Sequence, residues 1–439
     1  MPSPPAFHRP SAAAMAFIPI AIVLTFSQPP CCCAQEEAAK PSAAALFEQT
    51  LAERGLEAAL DRLREVLADT TAAYAVESFE LLRVVPNRLV LSHHHAEALE
   101  LLEVLAGTFG DSPLMWFELG NAHLRCGNKE AARDALGKAL AMAPDRADIA
   151  WMIEHLDSLL ATLRLQVERE RMFAPGESTG LQGPYLGQRP PGGVPEVFAP
   201  GIVGTTAHEY HISFTPDGRE VYFSRGGVGT LVSRWRDDGW TAPEAIELLD
   251  AEHLTEEANV TPDGKAIVFC GRRGLRAERE LYRAERIGDG WGRAVKLFPG
   301  MYATATLDGV LYYTARGEGR DYGAIVRRPR AGADYGEPVV VPGGGINSEF
   351  PDAHPFVAPN ESFLLFDSYR QPGAGIYATF RQPDGSWSTA VLLNDRLGIP
   401  PVGQCAVSPD GKYLWFCLAG DMWWVDAAFL DELRAKTGK

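Results

Sequence analysis

Residues 214–223 read Phe-Thr-Pro-Asp-Gly-Arg-Glu-Val-Tyr-Phe, a strand end, a tight turn and an aromatic second strand. Pro216 pre-sets φ, the Asp217 side chain bonds local amides, and Gly218 accepts φ > 0, so the three make a turn together. The figure returns four times. Val260-Thr261-Pro262-Asp263-Gly264 precedes Ile267-Val268-Phe269, and Ala305-Thr306-Leu307-Asp308-Gly309 precedes Leu311-Tyr312-Tyr313. Val357-Ala358-Pro359-Asn360-Glu361 precedes Leu364-Leu365-Phe366, and Val407-Ser408-Pro409-Asp410-Gly411 precedes Leu414-Trp415-Phe416. Turn residues 217, 263, 308, 360 and 410 lie 46, 45, 52 and 50 positions apart. Units of that length with several short strands are propeller blades.

A third strand carries Leu231-Val232, Leu281-Tyr282, Ile325-Val326, Ile376-Tyr377 and Met422-Trp423. A fourth follows Trp240, Trp291, Tyr335 or Trp387 and contains Ile246, Val295, Val340 or Leu392. The last unit lacks a fourth strand, and 427–435 reads as a terminal helix. Pro195-Glu196-Val197-Phe198 is a strand without a unit. Phe198 precedes its turn acid by 19 residues and Leu392 precedes Asp410 by 18, so this strand is expected to complete the last blade and close the ring. The count is five blades, or six if residues 174–193 supply strands.

These units resemble the WD-like propeller repeats typified by TolB, over roughly residues 195–426. The ending Asp421-Met422-Trp423-Trp424-Val425-Asp426 is similar to that of exported bacterial propellers, some of which carry helical repeats. The resemblance implies an envelope location, periplasmic or extracellular, and a binding role; it implies no enzyme.

Six residues before each turn residue stand His211, Glu257, Tyr302, His354 and Gln404, all polar. Three residues before it stand Phe214, Val260, Ala305, Val357 and Val407, all apolar. A strand's side chains alternate with period two, so the polar set faces the channel and the apolar set the core between blades. Two imidazoles, a carboxylate and an amide about one axis suit a divalent ion or an acidic sugar. Propeller-fold oligogalacturonate lyases hold a metal with His and Gln in a comparable place. The matching candidates here are His211, His354 and Gln404, with Glu257 added, short of that full set. Water filling a polar channel mouth explains the ring more simply than a bound ligand or catalysis does.

The chain's first part is different in kind. Six of the 43 glycines fall before residue 173, where apolar residues recur at helical steps: Leu56, Leu60, Leu63, Val66 and Leu67, then Leu99, Leu102 and Leu105. Trp116, Leu119, Gly120, His123, Gly127, Ala132, Leu136, Ala139 and Pro144 are similar to the tetratricopeptide repeat, with His123 where an aromatic is usual. Small residues at 120 and 132 let two antiparallel helices approach, Trp116 and Leu136 fill the seam, and Pro144 ends the pair. Pro86 and Asn87 are expected to break the helix ahead. The resemblance implies protein or peptide binding in a groove and no chemistry. His93-His94-His95 reads as a solvated helix start capped by Ser92, because consecutive helical side chains point 100° apart.

The expected organisation is a signal peptide at 1–34, a TPR-like helical domain at 41–172, a Gly/Pro-rich linker at 173–194 and a propeller with a terminal helix at 195–439. The class is thus α plus all-β in two domains. The apolar run from Ala12 to Phe26 is too short to span a ~30 Å hydrocarbon core comfortably, which favours a cleaved signal, ending at Ala34, over a retained anchor. No transmembrane span is expected after its removal. Cys126, Cys270, Cys405 and Cys417 then remain without CxxC spacing, which disfavours zinc and redox motifs. Cys405 and Cys417 flank one hairpin, as two buried thiols or a disulfide.

Against 57 Asp plus Glu stand 41 Lys plus Arg, for a net charge of −16, which argues against nucleic acid as partner. Arg272-Arg273, Arg316, Arg320 and Arg327-Arg328 read as exposed strand ends. No GxSxG, HExxH, P-loop or dinucleotide fingerprint occurs. The expectation is a non-catalytic exported scaffold without cofactor, which binds a protein or peptide through its TPR-like helices and a ligand or partner, protein or glycan, on the propeller around the ring of His211, Glu257, Tyr302, His354 and Gln404. The alternative is a metal-dependent lyase or hydrolase acting on acidic polysaccharide at the channel.

Overall fold

The computed structural model describes residues 40–437, apart from 72, 77, 79, 92–93, 171, 251–252, 274–277, 317–322, 333 and 371–372. The expected signal, Ser92, His93 and Arg320 lie outside the described residues.

Among the described residues eight α-helices come first: α1 (Ala43–Arg54), α2 (Leu56–Ala68), α3 (Val85–Leu91), α4 (His95–Ala106), α5 (Pro113–Arg125), α6 (Lys129–Met142), α7 (Ala147–Glu154) and α8 (Leu156–Glu170). Ser42 caps α1 by accepting from the Ala45 amide at 3.1 Å, satisfying one of the free first-turn donors. Pro86 does not break its helix. It is the second residue of α3, which continues directly from a π turn at Glu80–Val84, and such a turn is where a helix takes up an irregularity in its hydrogen-bond ladder.

These helices build two cores. Leu60, Leu63, Leu82, Leu101, Leu105 and Met115 belong to one made of α1–α6 and the π turn before α3. Leu136, Ile149, Met152 and Leu160 belong to another that runs on into Val197, Phe416, Trp423 and Phe429 of the propeller. The α5–α6 pair takes part in both.

Five blades follow among the described residues, the first two of five strands and the other three of four, and their inner strands are Glu209–Phe214, Leu254–Val260, Met301–Ala305, Asp352–Val357 and Gly403–Val407. Glu196–Val197 is the outer strand of blade five, antiparallel to Asp421–Asp426 with Glu196 opposite Trp424 and Val197 opposite Trp423. The ring therefore closes between distant parts of the chain. Residues 173–194 add no blade; they hold a single bridge, Ser178 to Thr241, and a short turn at Tyr185–Gly187. Tyr185 packs against Tyr413, Trp415 and Trp424 with centroids 5.0–5.8 Å away.

The turns behave as their residues dictate. Thr215, Thr261, Thr306 and Ser408 donate their hydroxyls to Asp217, Asp263, Asp308 and Asp410 at 2.5–2.7 Å. In the fourth unit Glu361 takes φ = 55° where the others use glycine. The terminal helix spans Phe429–Thr437. Among the described residues no helix is long and apolar enough to cross a membrane.

Candidate functional site

His211, Glu257, Tyr302, His354 and Gln404 all lie on the inner strands and share one unusual backbone state. Their φ values are 64°, 55°, 48°, 49° and 54°, the left-handed region that side chains with a Cβ rarely enter. Each stands where the pairing of inner and second strand shifts register. The ring is thus a set of five β-bulges, which kink the strand and re-aim a side chain.

Each bulge turns a backbone amide out of the ladder, and a buried amide needs an acceptor. Ser224 Oγ accepts from Glu257 N at 2.8 Å, Thr314 Oγ1 from His354 N at 2.9 Å, and Asp367 Oδ1 from Gln404 N at 3.2 Å. All three acceptors stand on the second strand of the preceding blade. At the equivalent Cys270 position the acceptor is different: Glu257 Oε2 takes the Tyr302 amide at 2.9 Å. Sequence reading passed over this second set of residues, yet it leaves a signal. Ser224, Cys270, Thr314, Asp367 and Cys417 each directly follow an aromatic, Phe223, Phe269, Tyr313, Phe366 and Phe416.

The ring side chains then meet across the axis. Tyr302 donates its hydroxyl to Cys405 O at 2.9 Å, and Gln404 Nε2 reaches Glu257 Oε1 at 3.4 Å. The His211 and His354 rings lie edge-on to Tyr302, at 5.0 and 5.1 Å. His211 and Tyr302 are fully buried and Glu257 nearly so, so the axis at this level is packed with side chains.

Burial sets the charges. It pushes the His211 imidazole down to about 4, so the ring is neutral at pH 7. Its Nε2 lies 3.1 Å from Ala258 O and must carry the proton; Nδ1 is buried without a partner. Burial also works against charge on His354, but the Asp367 carboxylate, 2.8 Å from Nδ1, outweighs it and raises that imidazole. Burial raises the Glu257 carboxyl, with His354 pulling the other way, and drives the Tyr302 and Cys405 groups well above their usual ranges. Cys405 and Cys417 are free thiols.

The arrangement does not suit a metal. Among the described residues no three His, Cys, Asp or Glu side chains are placed to hold one. His211 points a nitrogen at a carbonyl, His354 is held by Asp367, and Glu257 already accepts two hydrogen bonds.

The helical candidates sit in the α5–α6 seam. Leu119, Gly120, Ala132, Leu136 and Ala139 are buried, Trp116 is half-buried and Pro144 is exposed. A Cβ added at Gly120 would lie 2.7 Å from Leu136 Cγ, which is why no larger residue fits. Trp116 donates to Gly110 O at 2.8 Å, with Lys138 over its ring at 4.0 Å.

α5 and α8 are joined to the propeller by buried and part-buried polar contacts. Gln166 Nε2 donates to Asp421 Oδ1 at 2.8 Å, Arg125 Nε to Thr206 O at 2.9 Å, and Arg169 to Pro200 O at 3.2 Å. His95 faces Thr206 at 3.4 Å, whereas His94 is exposed and pairs with Glu97. Arg272 is no exposed strand end: its side chain is 12% exposed and bound to Glu256 at 2.7 Å.

No family model matches the sequence, and neither does any curated protein. Solved structures do. A TolB from Agrobacterium tumefaciens is 19% identical with a TM-score of 0.36, over 48% of this chain and 70% of that one. The chain is a five-bladed β-propeller preceded by an α-helical region. TolB from Acinetobacter baumannii is 12% identical with a TM-score of 0.35, over 52% of this chain and 58% of that one. A gluconolactonase from Xanthomonas campestris is 15% identical with a TM-score of 0.33, over 50% and 85%. Likeness at this level assigns no activity.

Proposed function

We propose that the protein is an exported, non-catalytic binding protein. In this reading the outer surface of α1–α4 engages a protein or peptide partner, and the propeller is the rigid platform that carries it. The observation that carries the reading is the ring itself. The side chains fit for chemistry, Glu257, Tyr302, His354 and Gln404, are bonded to one another or to the barrel wall. They act as struts, and a reacting group needs a free partner site beside it.

Placement of the binding surface follows from the two cores. The far end of α5–α8 is buried against the propeller, whereas the buried apolar side chains of α1–α4 pack into a core of helices, and α3 and α4 meet the propeller only at their edge, through Val90 and His95. The α5–α6 pair, with its tetratricopeptide-like spacing, links the two. Export rests on the apolar run Ala12 to Phe26 followed by Ala34.

Photo-crosslinkers at exposed Glu53, Glu57 and Arg64 test the surface, against controls at exposed Lys265 and Lys412 on the propeller. A discrete protein adduct in cells from the helical positions alone is expected; adducts from the propeller positions alone, or none, would sink the reading. Fractionation should find the protein outside the cytoplasm with Gln35 as its first residue. Recovery from the cytosol with residues 1–34 attached would refute export.

A further inference from the structure

A cleft of about 240 Å³ opens where α3, α8 and the entry to blade one meet. Its lining combines apolar Val90, Phe173 and Ile202 with Thr205 and two arginines, Arg169 and Arg225. Arg225 is matched by Glu209, whose carboxylate lies 2.5 Å away. Elsewhere at this joint Arg83 faces Glu118 at 3.5 Å. Arg169 differs. It donates to Pro200 O at 3.2 Å and faces no carboxylate among the described residues.

Arg169 is also held in place. Gly201 lies against its stem so closely that an added Cβ would come 2.2 Å from Arg169 Cβ, at a φ of +80° that itself favours glycine. The backbone is therefore shaped around this arginine, in a chain whose net charge of −16 supplies acids freely elsewhere. A guanidinium beside an apolar wall is the pairing that recognises a carboxylate on a hydrophobic body. A phosphate or sulfate would face the same apolar wall with more charge to desolvate. The cleft is smaller than the roughly 300–1,000 Å³ of drug-sized sites, so its occupant is small.

We propose that this cleft binds a small organic carboxylate bearing an apolar group. Arg169 pairs with the carboxylate, Arg225 lines the same cleft with its charge already matched by Glu209, and Phe173, Val90 and Ile202 cover the apolar part. Such a ligand touches α3, α8 and the first blade together, so it tightens the joint between the two halves. The inference is independent of any partner on α1–α4.

Calorimetry and thermal unfolding of the whole chain, with phenylacetate as probe, test it. Phenylacetate should bind saturably and raise the melting temperature, while neutral phenylacetamide binds at least about tenfold more weakly, as loss of a charged hydrogen bond implies. Arg169→Leu, which keeps the stem against Gly201, should weaken phenylacetate by roughly ten- to a hundredfold, and Arg169→Lys by less. Equal binding of acid and amide, unchanged affinity in Arg169→Leu, binding of phosphate in place of phenylacetate, or no binding at about 10 mM would each overturn the proposal. Should Arg169→Leu fail to fold, the acid–amide comparison on the unaltered protein decides alone.

Discussion

The Tyr302 hydroxyl donates to the Cys405 carbonyl at 2.9 Å, joining blade three to blade five, which share no strand pairing. Both groups are buried, so neither has water as a substitute. Tyr302→Phe removes the donor alone and should cost about 1 kcal/mol. Urea unfolding should show a lower midpoint with an unchanged slope. An unaltered midpoint would mean that the bond contributes nothing in solution.

The bulge conformation makes a sharper demand. At Gln404 both Ala and Val remove the amide that reaches Glu257, but only Val adds a branched Cβ at φ = 54°. Gln404→Val should be less stable than Gln404→Ala by about 1–3 kcal/mol, the strain of a forced left-handed residue. Equal stabilities would show that the strand relaxes out of the bulge.

In the α5–α6 seam, local preference and packing oppose each other. Gly120→Ala would gain about 1 kcal/mol of helix propensity, yet its new Cβ would lie 2.7 Å from Leu136 Cγ. Overpacking of about 1–3 kcal/mol is expected to win, lowering the melting temperature. Pairing Gly120→Ala with Leu136→Ala should cost less than the two single losses added together, because the second change removes the clash. Strict additivity would place the cause elsewhere.

Two histidines, the buried His211 and the half-buried His208, set an acid limit. Burial lowers both His208 and His211 to about 4, and for His208 Arg83 and Arg125 push the same way. A group with a depressed folded pKa gives stability that is full above its unfolded value of about 6.5 and is lost as pH falls toward the folded one. Chemical denaturation across pH 6.5 to 4 should therefore lose stability more steeply for the unaltered protein than for His208→Asn. His354 has the opposite sign. Its raised pKa gives stability that is complete below about 6.5 and is lost as pH rises through the folded value, so His354→Asn should flatten that upper limb. Parallel profiles for variant and parent would contradict either assignment.

Local chemistry made the blades legible. Pro-Asp-Gly bends the chain wherever it stands, and a period of two separates Phe214 and Val260 from His211 and Glu257 without help from the rest of the molecule. Counting along the repeat was enough to expect Glu196–Val197 beside the last blade, because a ring has to close. The polar ring was visible for the same reason, as one position read five times.

What those residues do to one another was not legible. The five left-handed bulges, the latching of their amides by Ser224, Thr314 and Asp367, and the reach of Tyr302 to Cys405 depend on how far neighbouring blades rotate about the axis. Nor did the sequence show that the helices share a core with the propeller. Gln166 and Asp421 are 255 residues apart, and no periodicity connects them. The sequence by itself determined the elements and the blade count near five, since turns and strand alternation are short-range. Only the tertiary structure decided that the channel is braced by its own side chains and that the two halves are joined, since those contacts exist only once distant surfaces have docked.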